Sequence, residues 1–384
     1  MVEQVQDHSI HTANTHNAER EQIKQVISFL DVKESKAAAL DIILSYSTTP
    51  QHRELFHGTD IIKILLRLLP DGQYVRIASC LINFSHDNYY KKDLIKLNVA
   101  GRVFDFLKEN VKMDMKADEK TSAQFLENDN AYIIRDATDN EVPTAIEYLI
   151  MLLSNITVNE VGQKYLLGSG ATQGAILDNL FGMFCFFTKH GSFDFVSNIL
   201  ANLSAIKEGR DYMLRNKMLA KIIEFLKFER VNQHRRAHLI ETMRNIAFEY
   251  EIEEKFFSQI HLVQDCVQML VAEQGIITLN GILKPMASSY TKTRDQVSIP
   301  NTKNLLDCLV LLANSEELLK EMEKLNIVEA LDQIYNGGLD DIDVQVQVLK
   351  NQIAAVGIPK ITTMDSDDEE EEKKEDSKAE VQLD

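Results

Sequence analysis

The chain has 384 residues, 45% of them apolar, and a formal charge of −18. That acidity speaks against nonspecific nucleic-acid binding, which needs a dominant positive field, and no apolar run approaches the length of a membrane-spanning helix. The four cysteines, Cys80, Cys185, Cys266 and Cys308, stand far apart in apolar stretches. They read as small buried hydrophobes, so neither a disulfide framework nor a metal site is expected.

Residues 1–18 are polar, rich in His, Thr and Asn, and are expected to be disordered. They lack the apolar core of a secretory signal, which predicts a cytoplasmic location, with the nucleus as the alternative. A short phrase then begins to recur. It appears as Leu81-Ile82-Asn83-Phe84-Ser85, Leu153-Ser154-Asn155-Ile156-Thr157, Leu200-Ala201-Asn202-Leu203-Ser204 and Met243-Arg244-Asn245-Ile246-Ala247. Leu312-Ala313-Asn314-Ser315 is a weaker copy, and Leu44-Ser45-Tyr46-Ser47 is an earlier one with serine in place of asparagine.

Ser45 to Asn83 is 38 residues, Asn155 to Asn202 is 47, and Asn202 to Asn245 is 43. These steps sit around the roughly 40–47-residue period of armadillo and HEAT repeats. Asn83 to Asn155 (72) and Asn245 to Asn314 (69) are each one repeat too long by an insertion. The excess falls near 113–143, which is acidic, and near 273–303, which is broken by Gly275, Gly281, Pro285 and Pro300.

Between the phrases the pattern is helical. Val99, Val103 and Phe106 share a face, as do Leu219, Ile222, Ile223 and Leu226, and Leu305, Leu309 and Leu312. One repeat is expected to run Phe195–Ser204, Ile206–Leu214, Leu219–Phe228. Asp340–Val356 is expected to close the array as a terminal helix, with Asp340 or Asp341 as its N-cap. Residues 358–384 form an acidic tail expected to be disordered; Thr363–Asp384 alone holds eleven acids against three lysines. The fold class is therefore all-α: an armadillo/HEAT-like helical-repeat solenoid over 19–357, monomeric, with the two insertions.

Two candidate surfaces follow. Equivalent residues of stacked repeats fall on one line, about 10 Å apart for packed helices. An extended peptide rises about 3.3 Å per residue. Asn83, Asn155, Asn202, Asn245 and Asn314 would then grip its backbone in a concave groove, each amide both donating and accepting. The alternative is that each asparagine bonds locally to backbone and fixes the turn at its helix end. A nuclear-import-type pocket is not expected, because the chain has no tryptophan. The second surface is a basic island at Arg210, Arg215, Arg235, Arg236 and Arg244, suited to gripping carboxylates of a partner. Its alternative is a solvated face paired with Glu224, Glu229 and Glu241, or with the acidic tail.

Val196-Ser197-Asn198-Ile199-Leu200-Ala201-Asn202-Leu203-Ser204 followed by Arg210, and above all Arg244-Asn245-Ile246-Ala247-Phe248-Glu249, resemble the Hgh (brain-protein-16-like) family of eukaryotic armadillo-type chaperones. Those proteins carry R-N-x-x-F-[ED] at the corresponding repeat. The resemblance spans roughly Ile23 to Val356 in repeat order. The family's D-K-x-R-E-like motif survives only as Lys292-Thr293-Arg294-Asp295, and the acidic insertion and tail have no counterpart there. The resemblance implies a noncatalytic chaperone or adaptor without cofactors. Its expected partners are elongation factor 2 as folding client and the ring-shaped cytosolic chaperonin. The alternative function is a general scaffold or transport adaptor for linear peptides. No nucleotide-binding, metalloprotease or nucleophile-elbow motif occurs, so an enzyme is not expected.

Overall fold

The computed structural model describes residues 17–113, 132–134, 141–187, 191–227, 231–276 and 296–356. These residues form an all-α armadillo-type stack. Its spine is a series of ladder helices that end in, or in one case run just short of, the recurring phrase: α1 (Lys36–Ser47), α2 (Tyr74–Ser85), α3 (Glu141–Ile156), α4 (Val196–Ser204), α5 (Gln233–Ile246) and α6 (Ile299–Leu312). A seventh, α7 (Asp340–Ala354), completes it, and each ladder helix packs on the next.

Two further helices precede the ladder helix in units 2 to 7. In unit 5 these are Lys207–Arg215 and Met218–Leu226, within a residue or two of the boundaries read from periodicity. Met218, Leu219, Ile222, Ile223, Phe225 and Leu226 are buried while Lys221 and Glu224 face out. The turn between the two helices rests on Lys217 in the left-handed region (φ 55°), and Asn98, His261 and Asn326 hold the matching place in units 3, 6 and 7. Asn232 then starts α5, its side chain accepting from the Arg235 amide at 2.8 Å.

Units are pressed together where two of the phrases end. A Cβ on Gly209 would stand 1.9 Å from the Leu203 carbonyl oxygen, and one on Gly162 would stand 1.8 Å from that of Ile156. Only glycine lets the first helix of the unit close onto the end of the preceding ladder helix. The core is continuous along the stack and includes Cys80, Cys266 and Cys308; the last two thiols lie 3.5 Å apart.

Both insertions lie between the second helix and the ladder helix of a unit. The first begins as a two-stranded antiparallel ribbon, β1 (Val111–Met113) on β2 (Tyr132–Ile134), with Val111 opposite Ile134. These are the strands among the described residues. The rest of 113–143 before residue 141, and most of 273–303, lie outside the described residues, as do 1–16 and 357–384, where disorder was expected. Residues 17 and 18, placed with the disordered N-terminus by composition, open the first helix. The N-cap of α7 is Leu339, not Asp340 or Asp341; those two occupy its first turn, where their charge favours the helix dipole.

Candidate interaction groove

Four of the five ladder asparagines bond neither to their own helix ends nor to open solvent alone. Asn83 Nδ2 donates to Ser47 Oγ at 2.9 Å, Asn155 to Ser85 Oγ at 2.9 Å, Asn202 to Thr157 Oγ1 at 3.0 Å and Asn245 to Ser204 Oγ at 3.0 Å. Each acceptor is the hydroxyl two places beyond the ladder position of the preceding unit. That hydroxyl gives its own proton to the carbonyl three residues back: Ser47 to Leu44, Ser85 to Ile82, Thr157 to Ser154, Ser204 to Ala201. With its proton committed, the hydroxyl only accepts. The amide must therefore turn its NH2, not its Oδ1, toward the neighbour. Asn202 and Asn245 add bonds to the Ser154 and Ala201 carbonyls, at 3.2 and 3.3 Å. The phrase N-x-[ST] is thus a staple between units.

Asn314 departs from the pattern. Its counterpart hydroxyl position is Ala247, which has nothing to offer. Asn314 is exposed, its amide bonds to Val310 and Leu311 carbonyls of its own helix, and its Oδ1 accepts from Gln352 Nε2 at 3.3 Å. The local reading holds there; the inter-unit staple replaces it at the other four.

The basic island is not a surface patch. Arg235 is 1% exposed: its Nε meets Asp194 Oδ1 at 2.5 Å, its Nη2 donates to the Phe187 carbonyl at 2.9 Å, and its guanidinium lies over the Phe184 ring. Arg236 is 2% exposed and lies 3.8 Å from Glu273, itself 1% exposed. Glu273 also accepts from the Ser298 amide at 2.9 Å. The two arginines therefore hold the connections that lead into α4 and α6. Burial pulls both guanidinium pKa values down, Arg236 to about 10, and the carboxylate partners oppose the shift. Arg210 caps the Ser204 and Ala205 carbonyls and pairs with Glu249 at 2.7 Å, where Lys207 joins at 3.1 Å. Burial pushes the Glu249 carboxyl up, but these bonds outweigh it and its pKa falls below the usual value. Arg215 is exposed, with Nε on the Asp211 carbonyl. Arg244 is half-buried, and its Nε is buried without a hydrogen-bond partner. The island's charge is mostly spent inside the stack, on Asp194, Glu249 and Glu273; Glu229, one of the glutamates expected as partners, and the acidic tail lie outside the described residues.

A cluster absent from the sequence reading lies beside the staples. On α5, His234 and His238 both turn toward Asn198 of α4: His234 Nε2 lies 2.6 Å from Asn198 Oδ1, and Asn198 Nδ2 lies 3.0 Å from His238 Nε2. His238 Nδ1 lies 2.9 Å from the His234 carbonyl, which accepts, so His238 carries its proton on Nδ1 and His234 on Nε2. Burial, then His238, lowers the His234 pKa. The i, i+4 spacings of 198/202 and 234/238 on one helix face were the available signal. Around this face Glu147 is half-buried; burial and the nearby Asp194 raise its pKa. At the rim, beyond the ladder helices, Val158, Val161, Phe248 and Ile252 stand 63, 68, 50 and 72% exposed.

The family described as "Domain of unknown function (DUF383)" matches residues 136–335. A protein of Dictyostelium discoideum named "Protein HGH1 homolog" is 23% identical over 232 residues; the match spans 56% of this chain and 56% of that relative. Among solved structures, two engineered proteins from the Northeast Structural Genomics Consortium share the fold. One has a TM-score of 0.61 at 13% identity, covering 86% of this chain and 68% of its own. The other has 0.53 at 14%, covering 77% and 99%. The domain match takes in units 4 and 5, α3 and α6, and with them the Arg244–Glu249 phrase; the chain belongs to the Hgh family, which the DUF383 domain defines.

Proposed function

We propose that this protein is a noncatalytic chaperone or adaptor of the cytoplasm. It holds a folding client, elongation factor 2 by family resemblance, on its ladder face and presents it to the cytosolic chaperonin. The observation that carries the reading is the register of the ladder helices. Staples at Asn83, Asn155, Asn202 and Asn245 align successive units into one long half-open face, which suits an extended protein surface better than a small molecule. The apolar rim residues Phe248 and Ile252 supply area that a client would bury. Phe248 belongs to the family phrase and lies beneath the Arg210 guanidinium.

The test is affinity capture of the full chain from a eukaryotic lysate, with Phe248→Ser/Ile252→Ser alongside. Elongation factor 2 and chaperonin subunits are expected with the parent chain, and less client with the rim variant. Recovery of neither partner by the parent chain refutes the reading.

A further inference from the structure

The four cysteines divide into two single thiols and a pair. Cys80 lies against the Leu40 carbonyl at 3.9 Å, and Cys185 sits half-buried on its own helix. Cys266 and Cys308, 42 residues apart in the chain, bring their Sγ atoms to 3.5 Å, and both are 0% exposed. Cys266 belongs to Leu262–Glu273, the second helix of unit 6, and Cys308 to α6, the ladder helix of the same unit. Met243 of α5 closes over Cys266 from the preceding unit, its Sδ 3.9 Å from the thiol. The three sulfurs thus sit at the joint between units 5 and 6. This is the first joint without an asparagine staple, because Ala247 offers no hydroxyl and Asn314 bonds within its own helix. Ion pairs from Lys227 to Asp265 and from Arg236 to Glu273 hold it instead.

We propose that Cys266 and Cys308 are a modification site: hydrogen peroxide converts them to a reversible disulfide that pins the second helix of unit 6 to α6. The resting thiols are free. A disulfide needs its sulfurs at about 2.05 Å, so the pair has to close by about 1.5 Å, within reach of side-chain torsion and a small helix shift. One cysteine, as its thiolate, attacks a peroxide oxygen. The O–O bond breaks, a sulfenic acid forms, and the departing hydroxide takes up a proton and leaves as water. The second sulfur then attacks the sulfenic sulfur, the S–S bond forms and a second water leaves. The two thiols lose two electrons and two protons, and the peroxide is reduced to two waters. The closed joint resists the first step, since the bond with Cys308 and then burial push the Cys266 thiol well above its ordinary range. Oxidation therefore follows local opening, in which α5 withdraws Met243, and the missing staple makes this the joint to open. Once made, the bond closes a loop that contains the second insertion and restrains the unfolded chain.

The experiment treats the reduced full chain with hydrogen peroxide, blocks the remaining thiols with iodoacetamide, and maps the digest by mass spectrometry. The expected product is a monomer carrying one linked peptide pair, Cys266 with Cys308, about 2 Da lighter than the two thiol peptides together. Cys80 and Cys185 should be recovered alkylated. The oxidised chain should show a thermal midpoint higher by roughly a few degrees, and dithiothreitol should abolish the gain. Cys266→Ser and Cys308→Ala should each remove both the linked peptide and the gain. Oxidation should run faster in urea too dilute to unfold the chain, because opening of the joint is then more frequent. A disulfide to Cys80 or Cys185, a disulfide-linked dimer, or a pair that oxidises only after the whole chain has unfolded overturns the proposal. The linked peptide from the parent chain decides the matter even where a variant does not fold.

Discussion

The staple between units 4 and 5 can be weighed directly. Ser204 is fully buried, accepts from Asn245 at 3.0 Å and donates to the Ala201 carbonyl at 2.8 Å. Removing the hydroxyl by Ser204→Ala leaves Asn245 with its second acceptor, the Ala201 carbonyl at 3.3 Å. The net loss is then about one hydrogen bond, about 1 kcal/mol. Asn245→Ala, at a site 7% exposed, removes both bonds and opens a small cavity, for about 2 kcal/mol. Because the two residues share one bond, the double variant should cost less than the sum, with a coupling of about 1 kcal/mol. The chain supplies its own control. Asn314 faces Ala247 and bonds only within its helix and to Gln352, so Asn314→Ala should stay within about 0.5 kcal/mol. Repeat stacks do not always unfold in one step. Urea titration is therefore paired with amide hydrogen exchange in α4 and α5. Additive effects at 204 and 245, or a cost at Asn314 equal to that at Asn245, would refute the staple.

Further outcomes can be checked on the same preparation. Arg236→Ala strands the buried Glu273 carboxylate and should cost about 3–5 kcal/mol by urea unfolding, far more than Arg215→Ala at an exposed site, which should stay within about 0.5 kcal/mol. Gly209→Ala drives a methyl group into the Leu203 carbonyl and should cost about 1–3 kcal/mol, seen as a lower thermal midpoint. The His234 pKa is depressed in the folded chain, so the unfolded chain takes up the proton first. Its contribution to stability is complete above the ordinary value of 6.5 and is lost as pH falls through the folded value. Stability measured from pH 7.5 to 5 should decline, and His234→Gln should flatten that slope.

Much of the fold was legible because helical periodicity and the recurring phrase are local signals. The ladder helices and the helices of unit 5 fall where they were expected. The roles within the phrase were less legible. Asn202 was read as either a ligand grip or a local cap. Its partner, Thr157, lies 45 residues earlier and becomes a neighbour only once the stack is built. The serine or threonine two places after each asparagine was visible in every full copy except Met243–Ala247, and that exception marks where the staple fails. Arg235 and Arg236 misled for a related reason. A run of bases looks like a surface patch until the distant carboxylates, Asp194 and Glu273, are brought in beside them. Residues three to four apart on one helix can be paired by eye, but charges 37 or more residues apart need the tertiary fold.

The staples also have a direction. Each of the first four units has already disposed of its hydroxyl proton and shows only a lone pair at its C-terminal edge. The donor arrives with the next unit. A chain emerging from the ribosome in N-to-C order therefore never waits with an orphaned N–H at its growing end. Units 2 to 5 each find a prepared acceptor on the one before, so this part of the stack can lengthen stepwise during translation with the staple donor met as it forms.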